Sequence, residues 1–293
     1  MHPILRAHLA LFIVNIIYGL NYTIAKEITP VFIGPFGFVL MRIAGMILLI
    51  WTLGLIYPEK VEKKDFKILF FCSLTGVVIN QGLFFLGLSL TSPINASIIM
   101  IVNPILVVVF AAWILRERIT QWKISGIFLG LAGAAILILF KKTNDVQSNI
   151  WGDICIFFNA VSYAVFLVMV KPLMQKYNAI TVMKWVFLMG LPFMIPFGLT
   201  EFISIEWKSF SPNMIWAVVF VIVATTFLAY LLNTYALKRI SPSVVSAYIY
   251  LQPVIATLVA VSFGKDELTW LKWVAAGLIF AGVWMVSKRS DFG

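Results

Sequence analysis

The sequence predicts an all-α polytopic membrane protein: ten transmembrane helices in two inverted five-helix repeats. Three observations predict it. The first is composition, because 62% of the 293 residues are hydrophobic, only 12% are charged and mean hydropathy is +1.01, whereas a soluble domain is roughly half apolar and a quarter charged. That excludes an ordinary cytosolic enzyme. A 15% aromatic content, with 25 Phe, also excludes a disordered chain, which lacks the apolar surface to offset ordering entropy. The second observation is that apolar runs recur at about 20 residues, the length that crosses a bilayer. The third is self-similarity at a fixed offset, the mark of a repeat.

Breaks of Pro, Gly or clustered charge place helices at about 5–25, 35–56, 67–89, 93–115, 121–140, 152–174, 180–200, 213–237, 243–264 and 270–287. The first (MHPILRAHLALFIVNIIYGL) has an early Arg6 but no small-residue cleavage site, so it reads as a retained helix rather than a signal peptide. The second begins at Pro35, and the third follows the basic loop Lys60, Lys63, Lys64. Ser92–Pro93 opens the fourth, and Arg116–Glu117–Arg118 separates it from the fifth. Lys141 and Lys142 close the fifth, and Lys171 and Lys176 mark the end of the sixth. The seventh and eighth flank Lys208; Lys238–Arg239 precedes the ninth, which carries several polar side chains. The tenth lies between Lys265 and Lys288. Cys72 and Cys155 both fall inside apolar runs, so neither a disulfide framework nor a metal site is indicated.

The formal charge of +10 sorts by side. Fourteen Lys and Arg fall on the side of Arg6, Lys64, Lys123, Lys176 and Lys288, against six on the side of Lys26, Lys142, Lys208 and Lys265; Arg42 and Lys184 lie within or at the edge of spans. Positive short loops stay in the cytoplasm, so both termini are expected there, in a multi-pass protein of the cell inner (plasma) membrane. Dispersed over short loops, these charges do not form the single basic surface that nucleic acid requires.

The stretch from Ser92 (SPINASIIMIVNPILVVVFAAWILRERIT) aligns without a gap to that from Ser241 (SPSVVSAYIYLQPVIATLVAVSFGKDELT). Pro93 matches Pro242, Pro104 matches Pro253, Glu117 matches Asp266 and Gly133 matches Gly282, all at an offset of 149. Tyr18 to Lys26 (YGLNYTIAK) matches Tyr163 to Lys171 (YAVFLVMVK) more weakly at 145, and Arg42 pairs with Lys184 at 142. This sets units of 1–145 and 146–293. Five spans is an odd number, so the second unit enters from the opposite side. Inverted repeats place a substrate site near the midplane where the halves meet.

Together YGLNYTIAK, Arg42 after Pro35, the SPINASII and SPSVVSAY helix starts, the NP and QP interruptions and the RERIT and DELT tails resemble the drug/metabolite transporter superfamily, specifically EamA-type proteins of two five-helix units. The resemblance covers nearly the whole chain. It implies a central cavity lined by the first, third, fourth, sixth, eighth and ninth helices, and commonly export of amino acids or other small metabolites.

Candidate pathway residues follow. Asn103–Pro104 and Gln252–Pro253 fall near the centres of the fourth and ninth spans. Each proline removes the N–H due to the carbonyl four residues back, at Met100 and Ile249, leaving either a pair of kinked helices with acceptors for a substrate or ordinary kinks. Asn15, Tyr18 and Asn21 share a face of the first helix by i, i+3 spacing. Asn159 and Tyr163 pair on the sixth, with Asn80 and Gln81 on the third, Tyr230, Asn233 and Thr234 on the eighth, and Tyr248 beside Gln252 on the ninth. Such amides either line a polar, uncharged path or bond across helices. Arg42 is a full charge inside a span, which costs at least about 2.5 kcal/mol. It meets a substrate anion, bonds helix-end carbonyls or snorkels to an interface.

No Asp or Glu falls near the centre of a span, and no Walker lysine loop, HExxH or GxSxG occurs. The expectation is a non-enzymatic secondary transporter without cofactor or metal, working by alternating access on a small neutral or zwitterionic solute such as an amino acid. A multidrug or toxic-compound exporter is the alternative; a membrane enzyme or scaffold is less favoured. Small-residue faces at Gly126, Gly130 and Gly133, and at Gly277, Ala281 and Gly282, permit close backbone approach. They suit packing within one chain, or the seam of a weak homodimer in place of a monomer. The expected partners are a small-molecule substrate and the lipid bilayer, without nucleic acid.

Overall fold

The structure, a computed structural model, describes residues 3–139, 149–262 and 269–287, and among these it is helical with no strand. Helices α1 (Pro3–Ile28) and α2 (Pro35–Ile56) lead through a 3-10 turn (Lys63–Asp65) into α3 (Phe66–Ser73). A π-helical stretch, Leu74–Val78, joins α3 to α4 (Ile79–Leu90). Next come α5 (Pro93–Met100), α6 (Asn103–Ile114) and α7 (Gln121–Leu139). The second half holds α8 (Ile150–Lys176), α9 (Ala179–Ile203) and α10 (Pro212–Phe220), a second π stretch (Val221–Leu228) and α11 (Ala229–Leu237). It ends with α12 (Pro242–Ala247), a 3-10 turn (Tyr248–Tyr250), α13 (Leu251–Ser262) and α14 (Trp270–Ser287).

Helix starts are written in the sequence. Proline opens α2, α5, α10 and α12, at a position whose N–H has no helical partner anyway. The side chains of Ser92, Asn149, Asn178 and Ser211 accept from backbone N–H groups of the helices they precede. Among the described residues eight segments are long and apolar enough to cross a membrane, which makes the chain a polytopic membrane protein. Their outer faces expose large apolar residues such as Leu48, Leu55, Phe158 and Phe197, with Trp113, Trp151, Trp270 and Trp273 near helix ends, as expected of lipid-facing surfaces with aromatic belts.

The fourth and ninth runs differ from the single kinked helices expected. Each is two helices. Pro104 sits in the first turn of α6 after a turn at 101–102, and Pro253 follows the 3-10 turn at the start of α13. Proline fits such first turns without losing a bond, so each begins a helix instead of bending one. The third and eighth runs carry π-helical turns for which no proline signals, at 74–78 and 221–228.

Packing brings α2 antiparallel to α9. Gly37 donates its N–H to Glu201 Oε2 at 2.7 Å, while at the other end Gly54 faces Lys184, whose Nζ lies 4.6 Å over the Trp51 ring. Helices α7 and α14 press backbone to backbone. A methyl group added to Gly126 would lie 2.7 Å from the Gly282 carbonyl oxygen, and one on Gly133 2.6 Å from that of Ala275. The small faces at Gly126, Gly130, Gly133 and Gly282 are thus packing within one chain. Gly277 and Ala281 stand outside this seam: Gly277 faces open space and Ala281 is exposed.

One end of the molecule is laced by charge. Asp65 accepts from Lys176 at 2.5 Å and from the Tyr177 hydroxyl at 2.6 Å, and Glu62 pairs with Lys176 and Lys64. Those two lysine hydrogen bonds, Lys176 first, hold the Glu62 carboxyl below the usual carboxylate range. Glu117 pairs with Lys123 and accepts from Ser243, and Lys171 donates to the Leu237 carbonyl at the end of α11 and to the Ile240 carbonyl just past it. Of the residues that carried the charge count, Lys141, Lys142, Lys265, Lys288 and Arg289 lie outside the described residues, as does Asp266 of the repeat alignment.

Candidate functional site

A cavity opens inside the helix bundle, with about 100 Å³ of space available to the centre of a water-sized sphere. A single water needs roughly 10–15 Å³ by that measure, so the space admits several waters or a small solute. Its wall is mixed: Val14, Phe84, Phe85, Met100, Val245 and Ile249 provide apolar and aromatic surface, among side-chain amides, phenols and one guanidinium.

The polar wall comes from residues far apart in the chain. Asn15, Tyr18 and Asn21 face it from α1, Arg42 from α2, Asn80 and Gln81 from α4, Asn159 and Tyr163 from α8, Tyr230 and Asn233 from α11 and Gln252 from α13. On α1 the helical period puts the three polar residues, with Val14 between them, on the side that faces the cavity.

Their hydrogen bonds run between the first and second halves of the chain. Gln252 Nε2 donates to Asn15 Oδ1 at 3.0 Å, and Asn15 anchors itself by donating to the Leu11 carbonyl. Gln81 Nε2 donates to the Tyr230 hydroxyl at 3.2 Å, which donates to the Gly76 carbonyl at 2.8 Å. Asn159 Nδ2 donates to the Asn80 carbonyl at 2.6 Å. Asn233 reaches the Tyr163 hydroxyl at 3.4 Å within the second half. The amide oxygens of Asn21, Gln81 and Asn159 are buried without a donor.

Arg42 neither snorkels nor caps a helix end. It is only 5% exposed; its Nε donates to Thr226 Oγ1 at 2.8 Å and its guanidinium carbon lies 4.8 Å over the Phe85 ring. Thr226 donates in turn to the Val221 carbonyl at 2.8 Å, five residues back in the π stretch. Lys184, paired with Arg42 in the sequence, lies against Trp51 near the other end of α2.

Three expected polar residues, Asn103, Tyr248 and Thr234, do not line the cavity. Asn103 is fully buried, and its Nδ2 donates to the Ala160 carbonyl at 2.8 Å, so it tethers α6 to α8. The Tyr248 hydroxyl pairs with His8 Nδ1 at 2.7 Å. Pro104 and Pro253, expected as helix breaks, sit in helix first turns, and Met100 and Ile249, the residues four before each, line the space. Thr234 bonds the carbonyls of Tyr230 and Leu231 in its own helix. Thr226, Phe84 and Phe85 went unread in the sequence; the Thr225–Thr226 pair in an otherwise apolar run is the signal that marks the first.

The chain matches the EamA-like transporter family over residues 5–139 and again over 150–288. It is 25% identical over 291 residues to an uncharacterized transporter of Archaeoglobus fulgidus, covering 97% of this chain and 98% of that one. It is 24% identical over 227 residues to a probable terminal-alkyne amino-acid exporter of Streptantibioticus cattleyicolor, covering 78% and 75% of the two chains. A protein of known crystal structure shares the fold at a TM-score of 0.76 and 18% identity, with 97% of each chain covered.

Proposed function

Because the chain belongs to the EamA-like transporter family, we propose that this membrane transporter exports small neutral or zwitterionic metabolites such as amino acids, without ATP hydrolysis. The observation that carries the reading is the cavity itself, a buried and largely uncharged polar wall whose bonds tie residues of one matched half to the other. The likeness to an amino-acid exporter over 78% of this chain favours the same solute class.

Alternating access follows from two inverted five-helix units, 1–145 and 146–293, with ten spans. Two features support that arrangement. Irregular turns recur at the 149-residue offset: the π stretch 74–78 against 221–228, and the break at 101–102 against the 3-10 turn at 248–250. Gln81 touches Tyr230, its own counterpart at 149, as residues on a twofold axis must. Lys64, Lys123, Lys171 and Lys176 belong to the more basic side and sit in the charge-laced end. This favours cytoplasmic termini in the inner membrane.

Protein reconstituted in liposomes loaded with a panel of amino acids and other small metabolites tests the reading. Efflux down a gradient is the expected result. Efflux confined to aromatic or cationic drugs, with resistance to toxic compounds on expression, would replace it with the multidrug alternative that the aromatic wall also suits.

A further inference from the structure

We infer that Arg42 is the carboxylate subsite of the cavity, and that a free carboxylate is the obligatory group on the transported solute. The inference rests on the transport reading above and adds to it which atoms are recognised.

Three charged residues are buried among those described: Asp65, Lys123 and Arg42. The first two are neutralised by Lys176 and Glu117. Arg42 faces no carboxylate: the residues lining its cavity include neither Asp nor Glu. A buried charge left without a counter-ion is unfavourable unless something that binds there supplies one. The guanidinium is also held in place for such a task. One of its five donors is spent on Thr226 and one face rests on Phe85, leaving the others directed elsewhere in a rigid plane.

The anion is a carboxylate rather than a phosphate on grounds of charge. A single guanidinium balances one negative charge, and its fork matches the two oxygens of a carboxylate. The cavity adds no lysine and no second arginine to meet a dianion. The apolar wall at Phe84, Phe85 and Ile249 accommodates a hydrocarbon side chain. The donor-free amide oxygens of Asn21, Gln81 and Asn159 leave acceptor capacity in the wall that an ammonium group can use.

The test compares matched pairs in liposomes: each common amino acid and its carboxamide, at neutral pH, with wild type and with Arg42→Gln, Arg42→Lys and Thr226→Val. Wild type is expected to carry the acids at least about tenfold faster than the amides, the worth of a charge-assisted contact. Arg42→Gln should abolish that preference, with the acids carried no faster than their amides, and Arg42→Lys should restore part of it. If Arg42→Gln does not fold, Thr226→Val serves in its place, raising KM for the acids several-fold with the charge still present. Equal flux of acids and amides in wild type overturns the inference and leaves the transport reading intact, as does an acid preference that survives Arg42→Gln. Absence of flux for every pair in folded wild-type protein removes the amino-acid reading and this inference with it.

Discussion

Helices α5–α6 and α12–α13 repeat one pattern, an amide followed by proline, and break at corresponding places, yet they present different chemistry. In the first pair Asn103 turns away from the cavity to the Ala160 carbonyl. In the second Gln252 reaches into it and bonds Asn15. The extra methylene of Gln carries its amide further from the backbone, as far as Asn15 on α1. A backbone that repeats can therefore hold a site that does not. The repeated proline marks where the helix restarts, and the residue before it is free to diverge into a tether in one half and a cavity-facing amide in the other.

Substitutions can break this contrast. The largest expected effect is Gln252→Ala, which removes a cavity-facing amide worth about one hydrogen bond and should lower flux on the order of tenfold while thermal stability stays near wild type. Asn103→Ala should do the reverse: a loss of about 1 kcal/mol, in the range for polar contacts between membrane helices, read as a melting temperature a few degrees lower with flux per folded molecule within about twofold. Equal flux losses in the two variants would erase the distinction drawn here. Gln252→Asn, which gives both halves the same amide, sharpens it; flux should fall about threefold because the shorter side chain no longer spans to Asn15. The smallest effect is expected from Pro253→Ala, since proline in a first helical turn displaces no hydrogen bond. Its flux should stay within about twofold, and a larger loss would mean that the proline itself sets the break.

Much of this site was legible in the residues. Asn15, Tyr18 and Asn21 could be placed on one face because helical spacing is a local property, and all three line the cavity. The amides of the third, sixth and eighth runs were readable because polar groups inside apolar runs must face protein or water. What escaped depends on contacts made across the bundle. Asn103 and Gln252 look alike along the chain, and only the position of α8 beside α6 decides that the former is consumed. The π turns escaped for a related reason. Thr225 and Thr226 both donate to the Val221 carbonyl, and hydroxyls that compete for helix carbonyls announce themselves only as a pair of threonines. Arg42 was visible as a charge in a span, but its anchor on Thr226 lies 184 residues away.

The uncancelled guanidinium has an electrical consequence. Moving one elementary charge through the whole membrane potential is worth about 2.3 kcal/mol per 100 mV. A carrier holding Arg42 in an empty cavity would present a net positive charge to that field, and a zwitterion, whose ammonium offsets its carboxylate, would leave that charge in place. Voltage would then act alike on the loaded step and on the return of the empty carrier. A solute with a carboxylate and no ammonium would cancel the charge, and its loaded step alone would escape the membrane potential.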